Sequence, residues 1–559
     1  MLMDVHMQCH AMPCKRKQCM QWNDSLHLLP HHACVKTLGN FVYVCMFKMY
    51  ARYINMSEHA NSVRCVCESR KPDSWRSKEA KQQPKYPCLK SLGTSCSTIR
   101  SMPPLVDALE VRRLRELLKK VNEGQMLILQ GGDCAERFSD CTEAIIQVKL
   151  KILLQMSLVL IWGSRKPVVR IGRIAGQYGK PRSKPTEQVD GVEMSSFKGD
   201  NVNCLDADVK KRTPDPDRLL QGYFRSAVTL NYIRALTRGG FADLHNASHW
   251  DLGFIKDEQL RKKYEDIAER LLSSLEFLRV CGGADASSTN GIEFFTSHEG
   301  LVLDYEEALT RIDSAVSEQR EKKKQDQEKQ GEFKAKKEGD KAKNDNLKED
   351  KTTSNKTETV GEEDDAQAYY NSGAHFLWIG NRTRQLDGAH VEYFRGIINP
   401  IGIKVGPSMP PVELVELIKK LDPLNEAGKV TLITRLGYKN VEAKLPPLIR
   451  AVQKAGLKVN WICDPCHGQT RATKEGLKTR DFSEILLELQ HTAKTHMKCN
   501  NRLHGVHFEM TGEDVTECVG GPQQLLDEHL KARYTSACDP RLNYAQSMEM
   551  SFRLAKLLE

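Results

Sequence analysis

Short runs rich in β-branched and aromatic residues alternate along this chain with longer stretches whose apolar residues recur every three or four positions. The short runs predict strands at Met126 to Gln130, Val168 to Gly172, Phe241 to His245, His375 to Ile379, Ile401 to Val405, Val430 to Thr434, Lys458 to Cys463 and Gly505 to Glu509. Between several of them, Pro411 to Leu421, Leu445 to Ala455 and Ser483 to Thr495 carry a helical period. Strands joined by connections long enough for a helix pair in parallel. Eight of them predict an α/β fold of the (β/α)8 TIM barrel type, although a doubly wound open sheet produces the same alternation.

Two stretches break the pattern. Residues 1–72 are rich in Met, Cys and His without a sustained period, and read either as a poorly ordered extension or as a basic leader. From Glu318 to Asp365 the chain holds 13 basic and 15 acidic residues, with only Phe333, Leu347 and Val360 as sizeable apolar side chains. Such a segment buries too little surface to offset its ordering entropy and is expected to loop out of the catalytic body at 73–559 as a disordered, low-complexity insertion.

Composition changes this picture little. Of the 559 residues 40% are hydrophobic and 28% charged, which suits a globular core. The apolar runs at Phe41 to Phe47 and Ile152 to Trp162 fall short of the ~20 residues that span a bilayer, so they read as core and no membrane partner is expected. The formal charge is +10, but residues 1–100 hold 15 Lys/Arg against 6 Asp/Glu, so the remainder is nearly neutral and no nucleic-acid surface is expected. Nine of the 18 cysteines lie in the same first 100 residues, and the rest are scattered, mostly inside apolar segments, as in a reducing compartment. The cytoplasm is the expected location, with a plastid or other organelle as the alternative if the basic leader is an import signal.

Chemistry gathers where the strands end. MLILQ is followed by Cys134, PVVRIG by Arg173 and the AGQYGKPRS loop, and HFLWI by Asn381 and Arg382. IGIKV carries Lys404, VTLIT is followed by Arg435, VNWIC by His467, and GVHFE ends in Glu509. In barrel enzymes the carboxyl ends of the strands build the active site, so these residues are expected on one face. Cys134, His467, Glu509 and Asp539 offer a thiolate, an imidazole and two carboxylates, a set suited to a divalent transition metal. Arg173, Lys180, Arg182, Arg382, Lys404 and Arg435 would neutralise phosphates and carboxylates. Taken singly, each such residue is more often a buried thiol, a structural histidine or a solvated charge; their convergence is what favours a site.

The words around these residues are distinctive. QGGDCAERFSDC (130–141), RIAGQYGKPRS (173–183), WIGNRTRQLDGAH (378–390), GIKVGPSMPP (402–411), CDPCHGQT (463–470), HGVHFEMTGEDVTEC (504–518) and YTSACDPRLN (534–543) resemble consecutive signatures of the class II 3-deoxy-D-arabino-heptulosonate 7-phosphate (DAHP) synthases. The resemblance runs from about residue 73 to 559, apart from the charged insertion.

It implies a transferase that condenses phosphoenolpyruvate with D-erythrose 4-phosphate, the entry step of the shikimate pathway to chorismate and the aromatic amino acids. It implies Cys134, His467, Glu509 and Asp539 as metal ligands, with Mn(2+) first and Co(2+), Fe(2+) or Zn(2+) as other occupants. Arg173, Arg382, Lys404 and Arg435 match the family's phosphoenolpyruvate residues, Asn381 occupies a further position of that subsite, and Lys180, Arg182 and Ser183 resemble its aldose-phosphate cradle. Lys404 and His467 are the expected catalytic residues, and a homo-oligomer is the expected assembly. One departure is Asn381, where the family has Glu. The rival expectations are a non-catalytic relative and a metal-dependent aldolase for another aldose phosphate.

Overall fold

The computed structural model describes residues 71–189, 191–238, 292–314 and 368–558, with isolated helical positions between 258 and 273. Residues 1–70, the run from Phe241 to His245 and the charged insertion lie outside the described residues.

Eight parallel strands form a closed barrel: β1 (Leu127–Gly132), β2 (Val168–Arg173), β3 (Phe295–Glu299), β4 (Phe376–Ile379), β5 (Ile401–Val405), β6 (Val430–Thr434), β7 (Val459–Cys463) and β8 (Gly505–Glu509). Each pairs with the next in chain order, and β8 pairs back to β1. The open sheet is thereby excluded. The predicted helices are found at Pro411–Leu421, Val441–Lys454 and Phe482–Lys498.

The ring closes through β3, which hydrophobic patterning does not pick out, whereas the expected run Phe241 to His245 lies outside the described residues. Patterning misses β3 because Thr296, Ser297 and His298 are polar yet buried. Each has a partner inside the protein: Ser297 Oγ donates to Gly172 O (3.0 Å) and accepts from Gln130 Nε2 (3.0 Å), the Thr296 amide donates to His375 Nδ1 (3.0 Å), and His298 Nε2 lies 3.1 Å from Glu306, its Nδ1 alone having none. A strand whose buried side chains are polar and partnered inside the protein has no apolar signature.

Inside the ring, Ile128, Ile171, Phe295, Trp378, Ile433 and Ile462 pack with Leu114, Leu118 and Val121 of the helix Ala108–Asn122. That helix starts at a capping box between Asp107 and Glu110 and closes the amino-terminal end of the barrel, where Asn122 Nδ2 donates to Val459 O (2.9 Å). The helix Glu143–Ser164 is long and apolar enough to cross a membrane. It lies in the core, as its run Ile152 to Trp162 predicts, with Leu153, Met156 and Leu160 in the same apolar cluster as Met548, Phe552 and Ala555 of the last helix, Tyr544–Leu558.

The strand register sets the carboxyl ends level. Gly132 stands opposite Arg173 on one side and Glu509 on the other. Its φ is +142°, and a Cβ there would lie 2.6 Å from the Arg173 carbonyl oxygen, so glycine is what lets β1 and β2 close at this rim.

Candidate metal centre and anion pocket

A cavity of about 760 Å³ opens at the carboxyl ends of the strands. Every site residue expected from the sequence lines it except Glu509, which is fully buried at its floor.

One ligand atom from each of Cys134, His467, Glu509 and Asp539 can be chosen so that all lie within 4.8 Å of one another. His467 Nε2 is 2.8 Å from Glu509 Oε1, and Cys134 Sγ is 3.5 Å from Asp539 Oδ2. The other imidazole nitrogen, Nδ1, lies 2.7 Å from Asp464 Oδ2, an arrangement that turns Nε2 toward the cluster. Burial acts against the Asp464 carboxylate, but His467 and Lys404 beside it hold its carboxyl well below the usual range. Glu509 is likewise held low against burial, by His467, Arg480 and Arg173. Anionic oxygens, one imidazole and one thiol around one point fit a divalent transition metal, and exclude a hard all-oxygen site of the calcium type.

The cavity wall is cationic. Arg173 and Lys404 converge on His507 Nε2, at 2.7 and 2.8 Å, while His507 Nδ1 faces Gln130 Oε1 at 2.8 Å. Two cations donating to Nε2 require the ring proton on Nδ1, so His507 is neutral; burial, Lys404 and Arg173 push its pKa well below the ordinary value. Arg173 and Lys404 also stand over the Trp378 ring, 5.3 and 5.9 Å from its centroid. Burial lowers the pKa of Lys404 from its ordinary value, Arg173 adding to the shift and Asp464 opposing it. Arg435 donates to the His467 carbonyl (2.6 Å). Arg382 donates to Ser183 Oγ (2.7 Å), which joins the two groups of residues assigned to the two substrates. Arg182 pairs with Glu187 of the hairpin Thr186–Val189/Val192–Ser195, and Lys180 with Cys134 and Asp539 (2.7 Å to Oδ2). Asn381 accepts from Arg384 Nε (3.2 Å) at the pocket edge.

Several contributors were not singled out from the sequence. Glu299, at the end of the unpredicted β3, lines the pocket, and its Oε1 is buried with no hydrogen-bond partner. Burial raises its pKa while Lys180, Lys404 and Arg173 oppose the shift. Nε of Arg173 and of Arg435 are buried without partners as well. These atoms are a free acceptor and two free donors in the site region. Glu136 accepts the amides of Ala175, Gly176 and Gln177 (3.1, 2.9 and 2.8 Å) and so shapes the loop that carries Lys180 and Arg182. Glu488 accepts the amides of Leu436 and Gly437 (2.8 and 3.0 Å) and bonds Gln469 Nε2, fastening the loop after Arg435 to the one that carries His467. Nothing local in the sequence marks these as different from a surface glutamate.

The sequence profile of the Class-II DAHP synthetase family matches residues 70–555. This chain belongs to that family. A phospho-2-dehydro-3-deoxyheptonate aldolase of Neurospora crassa is 46% identical over 486 residues, covering 87% of this chain and 93% of the relative. Enzymes of the same name from Streptomyces coelicolor and Mycolicibacterium smegmatis are 41% and 40% identical over 485 and 488 residues, each covering 87% of this chain and, respectively, 96% and 94% of the relative. The class-II match contains the whole barrel and all twelve residues discussed as metal, substrate or catalytic groups, from Cys134 to Asp539.

Proposed function

We propose that this protein condenses phosphoenolpyruvate with D-erythrose 4-phosphate and water, giving DAHP and inorganic phosphate, as the first step of the shikimate pathway. The observation that carries the reading is the Cys134, His467, Glu509 and Asp539 cluster at the floor of a pocket walled by Arg173, Lys180, Arg182, Arg382, Lys404 and Arg435. Two phosphorylated, mutually repelling substrates need such a wall, and the relatives of this family carry the name of that activity.

Cys134, His467, Glu509 and Asp539 are assigned to hold the metal, Mn(2+) in the first instance. When bound there, it supplies Lewis acidity toward the aldehyde oxygen of erythrose 4-phosphate. Arg173, Arg382, Lys404 and Arg435 grip the carboxylate and phosphate of phosphoenolpyruvate and orient its C3 toward the aldehyde carbon, and Asn381 closes the edge of this subsite. Lys180, Arg182 and Ser183 hold the phosphate of the aldose. As the C–C bond forms, the aldehyde oxygen takes a proton and becomes a hydroxyl; Lys404, with its lowered pKa, is the donor. Water then adds to C2, and Glu299, with its free Oε1, takes the proton from it. The C2–O bond to the phosphate then breaks, its electron pair leaves with the phosphate, the departing phosphate takes the proton of the C2 hydroxyl, and the ketone remains, while the proton held by Glu299 returns to Lys404. His467 serves as ligand, and Asp464 fixes its orientation.

The test is product identification with phosphoenolpyruvate and a panel of aldose phosphates of three, four and five carbons. DAHP from the four-carbon substrate, with the highest kcat/KM of the panel, is expected. A preference for another aldose would move the protein to a different aldol reaction, and absence of turnover with every one would leave a ligand-binding relative.

A further inference from the structure

Arg480 is a fully buried arginine that reaches the ligand cluster without lining the cavity. Its NH1 is 2.7 Å from Glu509 Oε2 and donates to the Pro540 carbonyl, and its Nε donates to Thr470 Oγ1 (3.1 Å). Pro540 follows Asp539 directly, and Thr470 lies three residues after His467. One side chain therefore touches Glu509 itself and the loops that deliver His467 and Asp539, leaving only Cys134 outside its reach.

The electrostatics make this an unusual place for a cation. A positive charge behind a cation site weakens the site unless the ligands are over-charged, and here they are: one thiolate and two carboxylates exceed a divalent ion by one negative charge. The other cations in contact with the ligands, Arg173, Lys180 and Lys478, line the substrate cavity, and Arg480 does not. Geometry adds a second constraint. Glu509 Oε1 lies 2.8 Å from His467 Nε2 and accepts from Arg173 NH2 (3.1 Å), while Oε2 has its ion pair with Arg480 and no hydrogen-bond partner, so Arg480 and Arg173 together fix how the carboxylate is turned.

We infer that Arg480 is the positioning residue of the metal centre: its ion pair holds the orientation of the Glu509 carboxylate and, through Thr470 and Pro540, it sets the spacing of His467 and Asp539. This inference rests on the metal-centre reading above. A lysine at 480 would keep the charge but could not span three partners, because the ammonium lacks the planar fork of the guanidinium. Neutralisation and positioning are thus separable.

The experiment compares wild type, Arg480→Lys and Thr470→Val as full-length proteins. The Mn(2+) dissociation constant is read by electron paramagnetic resonance, the ligand field by the visible spectrum of the Co(2+)-substituted protein, and folding by the melting temperature in chelator. For Arg480→Lys the dissociation constant is expected to rise about 10- to 100-fold, the usual range for losing an outer partner of a ligand. The Co(2+) ligand-field bands are expected to shift while the thiolate charge-transfer band persists, since Cys134 is not among the contacts of Arg480. KM for both substrates at saturating metal should stay at the wild-type value. Thr470→Val, which removes one anchor, should move affinity the same way by a few-fold; it decides the matter if Arg480→Lys does not fold. A folded Arg480→Lys, or failing that Thr470→Val, with wild-type affinity and spectrum would overturn the inference. A wild-type Co(2+) spectrum with no thiolate band would instead overturn the metal-centre reading, and the inference with it.

Discussion

Replacing Cys134 by serine is expected to remove metal-dependent turnover at micromolar metal while leaving the barrel folded. The sulfur is the only soft donor in the cluster, and a serine hydroxyl does not ionise to replace it near neutral pH. Loss of a ligand should exceed the about 10- to 100-fold affinity loss typical of an outer partner. The fold should tolerate the change because Cys134 packs in a small cluster with Phe197 and Cys538, and Lys180 Nζ, already bonded to the sulfur, can donate to the new oxygen. The stability change should therefore stay within about 1–2 kcal/mol. Metal titration of the purified variant and its melting temperature give both numbers. Wild-type affinity with a normal melting temperature would remove Cys134 from the ligand set.

Arg435→Ala is expected to act on one substrate. Arg435 has a buried Nε without a partner, and its NH2 is fastened to the His467 carbonyl, so the guanidinium is oriented before any ligand arrives. Loss of a charge-assisted hydrogen bond is worth roughly 1.5–3 kcal/mol, or about 10- to 150-fold in kcat/KM for phosphoenolpyruvate. KM for erythrose 4-phosphate should change by no more than a few-fold. Glu299→Gln makes the contrast: the shape of the pocket is kept, the proton acceptor is lost, and kcat should fall by about 10²- to 10⁴-fold with little change in either KM. Initial-rate kinetics with each substrate varied in turn separate the two outcomes. An Arg435→Ala defect confined to the aldose, or a Glu299→Gln defect confined to KM, would reverse the roles given to these residues.

Much of the site was legible in the sequence because its residues follow strands in a regular way. Lys404, His467 and Glu509 sit at or just beyond the ends of apolar runs, and a barrel brings such ends together whatever their separation in the chain. The third strand escapes notice for the opposite reason: in FTSHE the polar Thr296, Ser297 and His298 are buried, so no apolar period marks it. Glu299 was missed along with its strand. The supporting residues were invisible for a different physical reason. Arg480, Glu488 and His507 owe their roles to partners 10 to 377 residues away, and a single charged or titratable residue reads the same whether it lies in solvent or beneath a metal cluster.

The central claim is that the four-residue cluster holds a divalent ion on which the condensation depends. Its most direct test is DAHP formation from phosphoenolpyruvate and erythrose 4-phosphate by chelator-treated enzyme, followed by titration with Mn(2+) and a count of bound metal. The account predicts no turnover in chelator and full recovery as a single site per chain fills. Turnover that persists in chelator, with no metal bound, would contradict it.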